Sequence, residues 1–199
     1  MTKHWRKFML GAFITCIAGS TWAAATGPVN LHAAAIDDFN KRVKAYVDLH
    51  KKAESGLPPL KKTANPDEIK AAERALGDAI RAARANAHQG DIFTPEAAPI
   101  LREMVTQYYK QHPAVSTRKE MLDEVPVFKP AVNQIYPEKL AKASMPPDLL
   151  KTLPALPATI VEYRIVGTYL TLRDAQANLI IDFIPNALPP AAKKQEDKQ

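Results

Sequence analysis

Five side chains in the last fifth of the chain, Glu162, Arg164, Tyr169, Arg173 and Asp182, combine two guanidinium forks with two carboxylates and a phenol. An arginine fork meets a carboxylate or phosphate through two parallel hydrogen bonds, so the set reads as an anion- or peptide-recognition patch. The same residues also read as a cross-strand ladder of ion pairs, each contributing about 0.2–1 kcal/mol, which a half-exposed sheet carries without any ligand. A second candidate is His50 with Glu54, whose i, i+4 spacing places both on one helix face as weak metal-ligand candidates. The second histidine of a zinc-protease helix and an obvious third ligand are both missing, and His50 also extends an apolar stripe, where a buried structural imidazole is the plain reading. His88 and His112 fall near helix C-termini, where the dipole favours an imidazolium with no catalytic role.

No catalytic residue emerges. The chain has no G-x-S-x-G elbow, no phosphate-binding glycine loop and no H-E-x-x-H. Ser116, Ser144, Asp123 and Glu124 have no base at a meaningful spacing, and no residue set calls for a cofactor. Lys51, Lys52, Lys61 and Lys62 form a basic cluster that suits either an anionic lipid or cell-wall polymer, or simply a solvated face.

These groups sit in a chain of 199 residues, 46% hydrophobic and 24% charged, with 17 Pro, 7 Gly and one Cys, a composition that excludes a disulfide scaffold or a collagen-like repeat. Its start has the order of an export signal: Lys3, Arg6 and Lys7, an apolar run over 8–18, then Ala23, Ala24 and Ala25. Cleavage is predicted after Ala25, making 1–25 a signal peptide. The run is too short for the roughly 20 residues of a membrane-spanning helix. Cys16 lacks the small preceding residue of a lipidation site, so the mature chain would carry no thiol. Of 27 basic and 21 acidic residues, the signal holds three and none, leaving 24 against 21. A mildly basic remainder removes the main support for nucleic-acid binding.

The expected fold class is α+β, with a single domain over 26–192: a helical part over about 35–124, a Pro-rich connector over about 125–160, a three-stranded antiparallel meander over about 161–184, and a disordered tail over 193–199. The first helix carries Ile36, Phe39, Val43, Tyr46, Val47 and His50 on one face, and Gly56 is expected to end it in a left-handed conformation before Pro58 and Pro59. Asn65-Pro66-Asp67-Glu68 starts the second, with a stripe of Ile69, Ala72, Leu76, Ile80, Ala83 and Ala87. Thr94-Pro95-Glu96 starts the third, with Ile100, Leu101, Met104, Val105 and Tyr108. Seven prolines in 126–157 forbid a continuous helix or central strand, leaving strand potential over 132–136 and a helical turn over 147–153.

A two-residue turn at Gly167-Thr168 pairs Glu162 with Arg173, Arg164 with Thr171 and Ile165 with Leu170. That register puts Tyr163, Ile165, Leu170 and Leu172 on an apolar face, joined by Leu179, Ile181 and Phe183 after a loop over 175–178. Glu162, Arg164, Arg173 and Asp182 then fall on the outward, polar face.

The run EYRIVG, continuing through LTLRD and NLIIDF to PNAL, with MPP and LPALP before it, resembles the C-terminal hairpin of a family of uncharacterised exported bacterial proteins. The resemblance covers about the last third of the chain and implies export and an α+β build, with no activity, cofactor or catalytic residue. The hairpin is more distantly similar to that of small periplasmic metal-homeostasis proteins, whose His-rich segment is missing here. The expectation is a periplasmic or secreted, non-enzymatic binding or accessory protein that meets an envelope protein, peptide or cell-wall component through the sheet edge or the Pro-rich segment. A hydrolase-like enzyme with a site assembled only in three dimensions and a periplasmic metal-binding protein are the alternatives.

Overall fold

A computed structural model describes residues 30–60, 63–112, 128–137, 140 and 145–188. The segment 1–25 expected to be a signal peptide, with the expected cleavage site at Ala25 and with Cys16, the residues Ser116, Asp123, Glu124 and Ser144, and the tail expected over 193–199 lie outside the described residues. The fold is α+β: helices precede a three-stranded antiparallel sheet of order β1-β2-β3. The elements are α1 (Leu31–Ser55), α2 (Pro66–Ala83), α3 (Ala97–Gln111), the short α4 (Pro147–Thr152), β1 (Val161–Val166), β2 (Tyr169–Asp174) and β3 (Leu179–Ile184).

Local signals explain the helix starts. Asn30 Oδ1 accepts from His32 and Ala33 N–H at 3.1 and 3.2 Å, and Asn65 Oδ1 accepts from Asp67 N–H at 3.0 Å with Pro66 at the first helical position. Thr94 caps α3 through Ala97 N–H at 3.3 Å. The end of α1 differs from expectation. Gly56 has φ −82°, an ordinary right-handed value, and its N–H turns in to Ala53 C=O at 3.2 Å while Leu57 N–H reaches Glu54 C=O at 3.0 Å. The helix tightens into i→i−3 bonds, and Pro58 and Pro59 then bar continuation, so no left-handed residue is needed.

α1 packs against both α2 and α3. Phe39, Val43 and Val47 from α1, Leu76 and Ile80 from α2, and Leu101 and Val105 from α3 share one core with Tyr163, Ile165, Leu170, Leu172, Leu179 and Ile184 of the sheet. Ile69, expected on the buried stripe of α2, is instead 44% exposed.

The β1–β2 register is the expected one, from Glu162 opposite Arg173 to Val166 opposite Tyr169, around Gly167 at φ +57°. β3 departs from simple alternation. Arg173 lies opposite Ile180, but Leu172 lies opposite Asp182, so Ile181 is an extra residue, a bulge that reverses the facing of the residues after it. Asp182 therefore turns to the helix side, fully buried, while Phe183 turns to the other face.

That other face is not open. Phe183, Ile180 and Val166 form a second apolar cluster with Tyr136 and Leu140 of the connector, flanked by Phe128, Val132 and Tyr169. The connector also lines the outer edge of β3: Ile135 bridges Leu179, and Asn133 and Tyr136 N–H donate to Ile180 and Asn178 C=O, each at 2.8 Å. At the opposite edge Val161 and Ile165 are fully buried, and Val161 N–H donates to Pro157 C=O at 3.0 Å.

Candidate functional site

The polar residues of the sheet come together as two separate sets. Glu162, Arg164 and Arg173 meet on the connector side. Arg164 forks onto Glu162, Nε to Oε1 at 2.9 Å and one terminal nitrogen to Oε2 at 2.8 Å, and Arg173 adds a 2.5 Å bond to Glu162 Oε1. Arg173 also donates twice to Asn178 Oδ1, at 3.1 and 2.7 Å, and stacks 5.0 Å from the Tyr136 ring centre. Burial pushes the Glu162 carboxyl up, but the two guanidiniums outweigh it and hold it below its ordinary value. Tyr169 shares this face but packs edge-on against Phe183. The forks that could have met an external anion are engaged with Glu162 and Asn178, which is the ion-pair ladder rather than an open recognition patch.

Asp182 does not belong to this set. The bulge buries it beside the loop before α3, where Oδ1 accepts from Gly90 N–H at 3.0 Å and Oδ2 from Ile92 and Phe93 N–H, each at 2.8 Å. Its own neighbour Phe183 donates a fourth N–H at 2.8 Å. Burial pushes its carboxyl above the ordinary value, against the pull of these four donors. Its work is to hold the turn over 90–93 onto β3.

His50 is the more informative residue. One helical turn after Tyr46 on α1, it reaches Asp174 at the end of β2: Nδ1 lies 2.6 Å from Asp174 Oδ2, and Tyr46 donates to the same oxygen at 2.6 Å. Asp174 Oδ1 accepts from Gln176 and Ala177 N–H at 2.9 and 2.7 Å, shaping the turn into β3. The other imidazole nitrogen, Nε2, faces Gln176 Oε1 at 3.2 Å. His50 and Asp174 have no solvent exposure. Burial lowers the pKa of His50, but the Asp174 hydrogen bond and charge, aided by Gln176 and Glu54, leave it above the ordinary value. Burial raises Asp174, and His50, Ala177 N–H and Tyr46 bring it below the ordinary carboxylate range. Tyr46 is pushed well up by burial and by Asp174. Arg84, at the end of α2, stacks 5.1 Å from the Tyr46 ring centre and donates to Ile181 C=O at 3.0 Å.

His50 is thus a buried structural imidazole, and Glu54 is exposed rather than a co-ligand. Among the described residues no group of three or more His, Cys, Asp or Glu side chains is placed to hold a metal ion. His88 N–H caps on Asp91 Oδ2 at 2.8 Å, and His112 bonds Tyr108 C=O at 2.8 Å through Nδ1 and stacks on the Tyr108 ring. Spacing along the chain does not reveal the polar roles of Asp174, Gln176 and Tyr46. Their signals are nonetheless present: a Tyr and a His at i, i+4 on an apolar stripe need a buried polar partner, and an Asp two residues before a Gln at a strand end is an Asx turn.

Gln176 connects this buried set to the surface. With Leu57, Leu60, Ile69, Ala72 and Leu76 it lines a groove of about 610 Å³ between the α1–α2 connection and α2. Leu60 is 52% exposed there, and Ile69 is the exposed residue of the α2 stripe. A groove of this size and apolar lining suits a ligand or a short peptide segment. No helix among the described residues is long and apolar enough to cross a membrane. No family model, no curated protein and no solved structure matches this chain.

Proposed function

We propose that the protein is an exported, non-enzymatic binding or accessory protein of the cell envelope, and that it receives a short apolar segment of a partner protein in the groove between the α1–α2 connection and α2. The observation that carries this reading is the exposure of Leu60 and Ile69 side by side with Gln176 along that groove. Two other surfaces fit a partner less well, since the connector lies along the β3 edge and the arginine forks of the sheet are bonded internally. The imidazole of His50, the side chain nearest to a catalytic pairing, is itself unexposed with both nitrogens occupied by Asp174 and Gln176, which favours binding over hydrolysis. The export segment and the family resemblance of the C-terminal hairpin support the envelope as the compartment.

A photo-crosslinking residue at Ile69, in the full chain expressed in an exporting bacterium, tests the reading. It is expected to yield a discrete adduct that weakens at least fivefold with Leu60→Asp and is not formed from Lys41 on the opposite, solvated face of α1. An adduct pattern identical at positions 69 and 41 overturns it.

A further inference from the structure

The orientation of Gln176 is decided by its neighbours. Its side-chain Nε2 donates to Thr159 C=O at 3.0 Å, and a carbonyl can only accept, so the amide oxygen must be the atom turned to His50 Nε2. His50 Nδ1 faces the carboxylate of Asp174. Both imidazole nitrogens therefore face oxygen acceptors, and only the doubly protonated ring satisfies both. A neutral ring keeps one proton. The short bond to Asp174 retains it on Nδ1, leaving the Nε2 lone pair against the lone pairs of Gln176 Oε1. Turning the amide over removes that clash but sets Oε1 against Thr159 C=O. Gln176 cannot keep both of its bonds once His50 is neutral.

We infer that His50 is a proton-dependent latch: the imidazolium, held between Asp174 and Gln176, fixes the Gln176 wall of the α1–α2 groove, and loss of its Nε2 proton frees that wall. As regulation of the groove this rests on the binding role proposed above; the latch itself rests only on the geometry. Every element around the ring contributes to its balance. α1 supplies Tyr46, which competes for Asp174 Oδ2, and the exposed Glu54; β2 supplies Asp174; the end of α2 supplies Arg84, whose charge faces Tyr46, Asp174 and Asp182. Asp174 and Glu54 favour the charged ring, and burial opposes it. Its transition accordingly lies above the ordinary imidazole value, in the direction burial alone would not give. The groove would keep its Gln176 wall fixed in an acidified compartment and relax in an alkaline one.

Nitrogen-15 NMR of the full-length wild-type chain tests the latch without any partner. At pH 5.5 both ring nitrogens of His50 are expected to show protonated-type shifts. As pH rises, Nε2 alone loses its proton, and the Gln176 side-chain amide resonances move with the same midpoint. Gln176→Ala removes one acceptor of the charged ring and is expected to lower the His50 midpoint by about half a pH unit. A ring carrying one proton at pH 5.5, a Gln176 amide indifferent to the His50 titration, or an unchanged midpoint in Gln176→Ala overturns the inference. The crosslink at Ile69 reads the binding role separately: its absence with a working latch removes the proposed function, and its presence with an indifferent Gln176 removes the latch alone.

Discussion

His50 Nδ1 and Asp174 Oδ2 lie 2.6 Å apart with no solvent exposure on either residue, joining the end of α1 to the end of β2 across 124 positions of sequence. Removing one partner strands the other, so Asp174→Ala is expected to destabilise the fold by about 3–5 kcal/mol, read by urea unfolding at pH 6. His50→Gln, which keeps a donor of similar reach, is expected to cost less.

The same pair sets a pH window. The folded pKa of His50 stands above its unfolded value of about 6.5, so the imidazolium contribution is complete below about pH 6.5 and is lost as pH rises through the folded value. Asp174 has the opposite sign: its folded pKa is depressed, and its contribution, complete above about pH 4, is lost as pH falls. Stability measured by denaturant titration from about pH 2 to pH 9 is expected to decline on both sides, and the alkaline decline is expected to vanish in His50→Gln.

Asp182 gathers four backbone N–H groups, three of them from residues 90–93. Asp182→Ala leaves those donors buried without an acceptor and is expected to cost about 3 kcal/mol. Hydrogen exchange at Ile92 and Phe93 is expected to accelerate more than exchange in β1.

Arg164 and Arg173 are expected to matter for stability and not for partners. Glu162→Gln loosens a half-buried three-residue network and is expected to cost about 1–2 kcal/mol. An Arg164→Ala, Arg173→Ala double variant is expected to leave the Ile69 crosslink intact, a result checked on the same gel as the wild type.

Two glycines are expected to respond differently to alanine. At Gly167, with φ +57°, a side chain meets nothing but imposes a strained backbone, a cost of about 1 kcal/mol. At Gly56, with φ −82° and its nearest non-neighbouring atom 3.5 Å from an added Cβ, alanine is expected to be neutral or to stabilise by about 0.5 kcal/mol. Thermal unfolding of the two variants separates these outcomes.

Local chemistry along the chain determined much of the architecture: Asn65-Pro66 and Thr94-Pro95 start α2 and α3 with caps formed within three residues, and Gly167-Thr168 closes a two-residue turn whose register is set by counting outward. Those signals act within a few residues, so they are readable without the fold. The bulge at Ile181 is different, because one extra residue is stabilised by what both faces of β3 meet: the N–H groups at 90–93 take Asp182 on one side, and Tyr136 with Val166 takes Phe183 on the other. A strict alternation puts Asp182 outside with Arg173, and only partners about 90 residues away reverse it. His50 shows the same division. Its place on an apolar stripe is written in α1, but its charge state and its link to the groove depend on Asp174 and Gln176, which the chain brings to it only when the helices close over the sheet.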